Sequence, residues 1–336
     1  MPVRETLYFT APHQIEICEE LLPVLAPGQV LVETVVSAIS PGTEMLVYRG
    51  QCPSLLDAND GISSEIHYPA AYGYACVGRV LEIGKQVDKL WLDRLVFSFQ
   101  PHTSHFVTTP DSLFPIPEHI SPETAAFLPN METAVNLAQD AAPILGERVL
   151  VFGQGIIGLL TSALLAEFPL ESLVCADPFP SRRAASLALG VSAALDPDSA
   201  DFRAQAALFL KSGADLTLEL SGAPAALNEA IALTAFSGRV VIGSWYGEKR
   251  TELNLGGSFH RSRLKLISSQ VSTIAPELSA RWDKSRRFEV AWNALQRIRP
   301  EKWITHRFPL AKAGDAYRLL DENPQETIQV IFEYQP

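Results

Sequence analysis

RVLVFGQGIIGLL, residues 148–160, sets Gly153, Gly155 and Gly158 in the spacing G-x-G-x-x-G, directly after a short apolar strand and directly before an apolar helix. In that context the first glycine allows a tight turn, the second lets a pyrophosphate approach the backbone, and the third lets helix and strand pack closely. The phosphates would rest on the helix N-terminus, at the backbone of Ile156 and Ile157. The next strand-like run, SLVCAD, ends in Asp177, about 20 residues on, where a ribose-binding acid is expected. Such an acid accepts hydrogen bonds from ribose hydroxyls and repels a 2′-phosphate, so NAD is favoured over NADP. Arg182 and Arg183 follow, either within reach of a 2′-phosphate or as solvated residues opening the next helix.

Outward from this motif the chain alternates strand and helix. RVLVFG, SLVCAD, ADLTLELSG, GRVVIGSW and LKLISSQ are apolar runs between helical segments, the pattern of a parallel sheet covered on both faces. Ligands of such sheets lie at the carboxyl ends of the strands, which nominates Ser221 and Gly222 after one strand and Gly243, Ser244, Trp245 and Tyr246 after another. Trp245 and Tyr246 could equally be packing residues. Before about residue 120 the texture differs: QIEICEELL, GQVLVETVVSAI, CVGRVLEIG and RLVFSFQ are short alternating runs separated by turn signals. The end of the chain returns to a strand, an amphipathic helix and a final strand. The fold class expected is therefore α/β, with a β-rich domain over 1–120, a doubly wound parallel-sheet domain over 121–272 and a return to the first domain over 273–336.

Composition narrows the partners. At 336 residues the chain is too long for one ordinary core. A net charge of -11 disfavours nucleic acid and anionic membranes as partners. The N-terminal stretch lacks an apolar core of signal-peptide length, which implies a cytoplasmic protein. The most apolar run, GIIGLLTSALLAEF, is too short to span a bilayer and reads as a buried helix. Cys18, Cys52, Cys76 and Cys175 are scattered without C-x-x-C spacing, so buried free thiols are expected rather than a structural zinc or a disulfide framework.

A second candidate site is the loop VSAISPGTEMLVYRG, residues 36–50, with Thr43, Glu44 and Tyr48 after a small-residue turn. Thr43 could also serve simply as the cap of the following helix. Taken with the glycine motif, DLTLELSG, GRVVIG and HRFPLAKAGDAYRLL, the order of segments resembles the medium-chain dehydrogenase/reductase superfamily over essentially the whole chain. The resemblance implies a GroES-like catalytic domain interrupted in sequence by a Rossmann domain, an active site in the cleft between them, and a homodimer in which KLISSQ extends a sheet across two subunits. In the zinc-dependent alcohol dehydrogenases of that superfamily, the positions matching Pro41, Tyr74 and Pro129 are cysteine, histidine and cysteine. Proline has no side-chain donor and tyrosine is not a usual zinc ligand, so a zinc-independent member is expected. A relocated metal site built from His102 and His105, with Glu44, Cys52 or Cys76, is the alternative.

Without zinc, hydrogen-bond donors must stabilise charge on the substrate oxygen. Tyr74, at a ligand position, is the first candidate, or a ring that fills the vacated space. Thr43, at the family's relay position, is the second, and Glu44 and Glu132 are possible proton acceptors. The loop ISPGTE with the following GY also resembles the branch that includes the bacteriochlorophyllide hydroxyethyl dehydrogenase, which implies a secondary alcohol on a bulky substrate. A basic segment holds His260, Arg261, Arg263, Arg281, Lys284, Arg286 and Arg287, read either as recognition of an acidic small-molecule substrate or as surface paired with Glu277, Asp283 and Glu289. The expected activity is hydride transfer between NAD(P) and a secondary alcohol or its carbonyl. Reduction of enones or quinones, and a dinucleotide sensor without catalysis, are the alternatives.

Overall fold

The computed structural model describes residues 3–52 and 67–334. The chain divides into unit 1, Met1–Pro129 with Leu295–Pro336, and unit 2, Asn130–Ala294. The boundaries therefore fall at 129/130 and 294/295 rather than 120/121 and 272/273. Arg287 explains the second of these differences, because its buried guanidinium bonds to Glu132, Asn136, Val271 and Thr273 and ties its segment into unit 2.

In chain order, unit 1 opens with β1 (Val3–Ala11), β2 (Gln14–Leu21), β3 (Val30–Ala38), α1 (Pro41–Tyr48), β4 (Ala70–Ala71), β5 (Cys76–Ile83), β6 (Leu95–Ser98), β7 (His105–Thr108), β8 (Phe114–Pro115) and α2 (Pro122–Ala125). After α3 (Leu128–Ala141) come β9 (Arg148–Phe152), α4 (Ile156–Leu165), β10 (Ser172–Ala176), α5 (Pro180–Leu187), β11 (Ala193–Leu195), α6 (Phe202–Leu210), β12 (Ala214–Glu219), α7 (Ala226–Leu233), β13 (Thr234–Ile242) and β14 (Lys265–Ser268). After α8 (Lys284–Ile298), the chain ends in β15 (Ile304–Pro309), α9 (Ala313–Glu322) and β16 (Gln329–Glu333).

Unit 2 is built on a parallel six-stranded sheet in the order β11-β10-β9-β12-β13-β14, which is the doubly wound dinucleotide-binding topology. Its strands are apolar on both faces because both faces are covered. Leu150 and Phe152 of β9 pack with Phe202, Ala206 and Leu210 of α6 and Leu227 and Ala230 of α7. The alternate residues Val149 and Val151 pack with Leu137 and Ala141 of α3 and Leu165 of α4 on the other side. Turning points back along the sequence place the glycine motif at the carboxyl end of the central strand.

Unit 1 holds a sheet in the order β15-β16-β3-β5-β6-β8, with β7 also paired to β3, and a smaller sheet β2-β1-β4. β3 alternates buried and partly buried residues, as the pattern GQVLVETVVSAI suggests. β1 is announced less clearly, yet it runs antiparallel to β2 from Val3 opposite Leu21 to Ala11 opposite Gln14. A core of Leu7 and Phe9 from β1, Met45 and Tyr48 from α1, Tyr317 and Leu320 from α9, and Val330 and Phe332 from β16 holds these pieces together.

No disulfide joins the cysteines, and Cys76 and Cys175 are buried, whereas Cys18 and Cys52 are partly exposed. Among the described residues no helix is long and apolar enough to cross a membrane.

Candidate functional site

The glycine loop of unit 2 has the shape its spacing demands. Gly153 takes φ +86, and a Cβ there would lie 2.5 Å from Ser221 Cα. A Cβ on Gly158 would lie 1.9 Å from the Gly153 carbonyl oxygen, so no other residue fits where α4 meets the turn. Gly155 is different: it begins α4, and the space beside it is open except for Arg182 Nη1 at 3.8 Å. This is a cradle in which a pyrophosphate can reach backbone amides. Ile156 is buried and Ile157 is partly buried against the core, so it is the backbone of both that is offered to a phosphate.

The residue between the first two glycines, Gln154, fixes the loop from below. Its fully buried side chain donates to Gly153 O and accepts from Ser162 Oγ and Ser186 Oγ, at 3.0, 3.1 and 2.9 Å. Ser162, a polar interruption in an otherwise apolar helix, therefore serves the loop. Asp177 is only 2% exposed; its Oδ2 accepts from the Gln154 amide at 2.7 Å and its Oδ1 from the Phe179 amide at 2.9 Å. Each oxygen keeps a further lone pair. Arg182 stacks on the Phe179 ring at 4.7 Å with Nη1 3.9 Å from Asp177 Oδ2. Arg183 donates to the carbonyls of Asp177 and Pro178 and pairs with Asp196, so its guanidinium is drawn away from the loop.

At the ends of β12 and β13 a second arrangement appears that the sequence reading missed. Glu219 is fully buried; its Oε1 accepts from the Ser221 amide at 2.8 Å and from the Ser221 hydroxyl, and its Oε2 accepts from the Tyr246 hydroxyl. Ser244 Oγ accepts from the Gly222 amide at 2.9 Å, and Gly243 N donates to Glu219 O at 3.0 Å. Gly243 is a packing glycine, since a Cβ would lie 2.5 Å from Leu137 Cδ2. One carboxylate thus ties together the two loops nominated by strand position, one of which touches Gly153. Tyr246 is bonded to it, whereas Trp245 is 37% exposed. A lone acid closing an apolar strand, LTLELSG, was the signal for Glu219.

In unit 1 the loop 36–50 is mostly helix. α1 starts after Ser40, and Thr43 lies within it rather than capping it. The partly buried Tyr74 donates its hydroxyl to Ser40 Oγ and also meets the Thr43 hydroxyl, so the family's ligand and relay positions do come together. Burial, then the charge of Glu44, pushes the Tyr74 hydroxyl up to about 12, against which the Ser40 and Thr43 bonds act. At neutral pH it is a donor. Glu44 is fully buried and has three donors: the Ser40 amide at 2.7 Å, His102 Nε2 at 2.9 Å and the Tyr317 hydroxyl. It has no open face from which to accept a substrate proton.

Glu132, in unit 2, is the counter-ion of an arginine: its Oε1 takes Arg287 Nε and Nη2 at 3.1 and 2.7 Å, with Lys284 Nζ at 3.6 Å. Arg287 is consequently not available to an acidic ligand. Within the basic segment, Asp283 Oδ1 accepts from the Arg286 backbone amide at 2.8 Å and the Arg286 guanidinium lies over Trp282 at 4.0 Å, while Arg261 and Arg263 are exposed.

Among the described residues, the side chains at the positions matched to zinc ligands do not suit a zinc ion. Pro41, Tyr74 and Pro129 hold the three ligand positions, and Glu44 is saturated. His102 and His105 do not converge: His102 is fully buried between Glu44 and Ser37, and His105 Nε2 faces Glu33 at 3.8 Å. Cys76 Sγ is directed at the carbonyls of Gln100 and Pro101, and burial raises it to about 12. Among the described residues no three His, Cys, Asp or Glu side chains are grouped to hold a metal.

Residues 157–287 match the zinc-binding dehydrogenase family. The chain is 21% identical to the starvation-sensing protein RspB of Escherichia coli K12, across 98% of this chain and 99% of that one. It is 29% identical to the L-galactonate-5-dehydrogenase of the same organism, across 69% of this chain and 65% of the relative. Among solved structures, the NADH complex of an alcohol dehydrogenase, rspB, from E. coli CFT073 superposes with a TM-score of 0.79 at 19% identity, covering 98% of this chain and 99% of that one. These likenesses support a member of the medium-chain dehydrogenase/reductase superfamily.

Proposed function

We propose that this medium-chain oxidoreductase moves a hydride between NAD and a secondary alcohol or its carbonyl, without zinc. The observation that carries the reading is the cluster of Tyr74, Ser40 and Thr43 hydroxyls at the ligand and relay positions, beside a carboxylate already saturated with donors. The glycine cradle supports the cofactor. Gly153, Gly155 and Gly158 would admit the pyrophosphate to the start of α4, and the remaining lone pairs of Asp177 would accept the adenosine ribose hydroxyls, which favours NAD over NADP. Arg182 lies beside the same loop, and Ser221, Gly222, Ser244 and Trp245 lie at the strand ends, where the rest of the cofactor would lie. Bound there, the nicotinamide supplies or accepts the hydride.

The protein's part is to manage the oxygen. A carbonyl oxygen gains negative charge as it is reduced, and a fixed O–H donor in a water-poor site stabilises that charge. Tyr74 remains protonated at neutral pH, and its single O–H, which rests on Ser40 Oγ, can turn to that oxygen while the Ser40 hydroxyl donates to the Tyr74 oxygen in its place, with Thr43 as the second donor. Glu44, with donors on both oxygens, acts on structure rather than on the proton, and Glu132 serves as the counter-ion of Arg287. The L-galactonate relative favours a polyhydroxylated acid as the substrate class, an acidic small molecule.

The test is nicotinamide absorbance with purified protein, NAD or NADH and a panel of secondary alcohols that includes sugar acids, with and without a chelator. Turnover that survives the chelator, in protein whose metal content is far below one ion per chain, supports the reading. Loss of turnover that added zinc restores overturns it, and turnover confined to enones or quinones transfers the cofactor site to the other chemistry.

A further inference from the structure

Tyr74 is held from a distance. Its hydroxyl donates to Ser40 Oγ, and Ser40 is the residue from which α1 starts. The Ser40 amide donates to Glu44 Oε1 at 2.7 Å, so a carboxylate one turn along the helix pins the residue that precedes it. The other oxygen of Glu44 takes His102 Nε2 at 2.9 Å and the Tyr317 hydroxyl from α9. His102 Nδ1 lies 2.7 Å from Ser37 Oγ, at the end of β3, and Ser37 Oγ lies 2.9 Å from the Tyr334 hydroxyl beyond β16.

The bond directions are interdependent. With Nε2–H aimed at Glu44, an Nδ1 that accepts takes its bond from the Ser37 hydroxyl, and Ser37 then accepts from Tyr334. The ring is also confined sterically. It meets Phe332 edge-on at 5.0 Å, and a Cβ on Gly73, the neighbour of Tyr74, would lie 2.8 Å from His102 Cδ2. Gly73 has φ +121, a conformation open to glycine. Apolar side chains of the same size would fill this space without desolvating an imidazole and a carboxylate. The polar set is costly as packing alone, and its one outlet toward the cluster is the Glu44–Ser40–Tyr74 line.

We propose that His102 is a positioning residue for Tyr74: by holding Glu44 it fixes Ser40, and so the place of the Tyr74 oxygen, whose O–H turns from Ser40 Oγ to the substrate oxygen when one is bound. The proposal rests on the reading of Tyr74 as donor to the substrate oxygen. The titratable groups facing Tyr74 are Glu44 from α1, Tyr72 from its own segment and Tyr317 from α9, and none of them is altered by the substitutions below.

The experiment is a double-mutant cycle on kcat with His102→Phe, His102→Gln, Tyr74→Phe and the His102→Phe/Tyr74→Phe pair. Tyr74→Phe is expected to lower kcat on the order of 100- to 1,000-fold. His102→Phe, which misplaces the donor, lowers it about 10- to 100-fold with the KM for NAD unchanged. His102→Gln keeps an amide donor for Glu44 and recovers most of that loss. In the pair, His102→Phe adds nothing to Tyr74→Phe. Multiplying losses in the pair, or an unchanged kcat in folded His102→Phe, overturn the proposal. Should His102→Phe not fold, Ser37→Ala removes the outer support of the imidazole and enters the same cycle, with the same two outcomes. An unchanged kcat in Tyr74→Phe would instead overturn the reading of Tyr74 itself, and the positioning role with it.

Discussion

Arg287 and Glu132 meet inside unit 2, where Nε and Nη2 of the guanidinium lie 3.1 and 2.7 Å from the same carboxylate oxygen and the arginine is fully buried. The remaining donors go to Asn136 Oδ1 at 2.6 Å, Thr273 O at 3.1 Å and Val271 O. The arginine thus links α3, α8 and the segment after β14, and it is a structural residue. Replacing Arg287 with Met leaves the carboxylate buried beside few donors. It should cost about 3–5 kcal/mol in urea unfolding. A change below about 1 kcal/mol would contradict this assignment.

Two glycines in one motif should fail in different ways. Gly158→Ala forces a Cβ against the Gly153 carbonyl and should disrupt the loop, lowering the melting temperature together with NADH binding. Gly155→Ala meets nothing nearer than 3.8 Å. It should fold normally and still bind NADH weakly, because the space it fills belongs to the pyrophosphate. Calorimetry of both proteins, with and without NADH, separates the two; undiminished NADH binding by Gly155→Ala would place the cofactor elsewhere.

Tyr246→Phe removes one donor from the buried Glu219 carboxylate and frees the loop after β13. A hydrogen bond to a charged group is worth roughly 1.5–3 kcal/mol, so the dissociation constant for NADH should rise about tenfold or more. Trp245, next in sequence and partly exposed, provides the fluorescence signal. An unaltered constant would show that the Glu219 clasp does not shape the cofactor site.

The Tyr74 hydroxyl has an ordinary value of 10.0 and is pushed up to about 12, first by burial and then by Glu44. Between those values the unfolded chain holds fewer protons than the folded one, so stability falls as pH rises. The contribution is therefore complete below about pH 10 and is lost as pH climbs through about 12, a total of roughly 2–3 kcal/mol. Tyr72, Tyr246, Tyr317 and Tyr334 are all raised by burial and act in the same direction. Urea unfolding of the wild type and Tyr74→Phe at about pH 9 and about pH 11 should show the smaller alkaline loss in the variant. Equal losses would mean that Tyr74 titrates normally.

Much of unit 2 was legible because its signals are local. The β9-turn-α4 motif lies within one short run, and the strand ends follow from the alternation, so Ser221 and Gly222 lie just after β12 and Ser244 and Trp245 just after β13. The chemistry of Gln154 and Glu219 was hidden by their settings. A glutamine between two glycines and a glutamate closing an apolar strand look like loop and surface residues until their partners, Ser162, Ser186, Ser221 and Tyr246, are brought beside them. The domain boundary after 272 was misplaced for a similar reason, since the basic look of Arg287 gave no hint of its burial.

By itself, the sequence determined the sheet topology class, the glycine cradle and the side-chain types at the three former ligand positions. Those depend on residues near one another in the chain, on a two-residue strand period and on what proline and tyrosine can donate. Only the tertiary structure decided which acids are free to act. Glu44 meets His102 across 58 residues and Tyr317 across 273, and Ser37 meets Tyr334 across 297. Sequence periodicity carries no information at such separations; these groups meet because β3, β16, α1 and α9 pack around one core, and packing there decided that Glu44 became a saturated anchor while Tyr74 kept its place among the Ser40 and Thr43 hydroxyls.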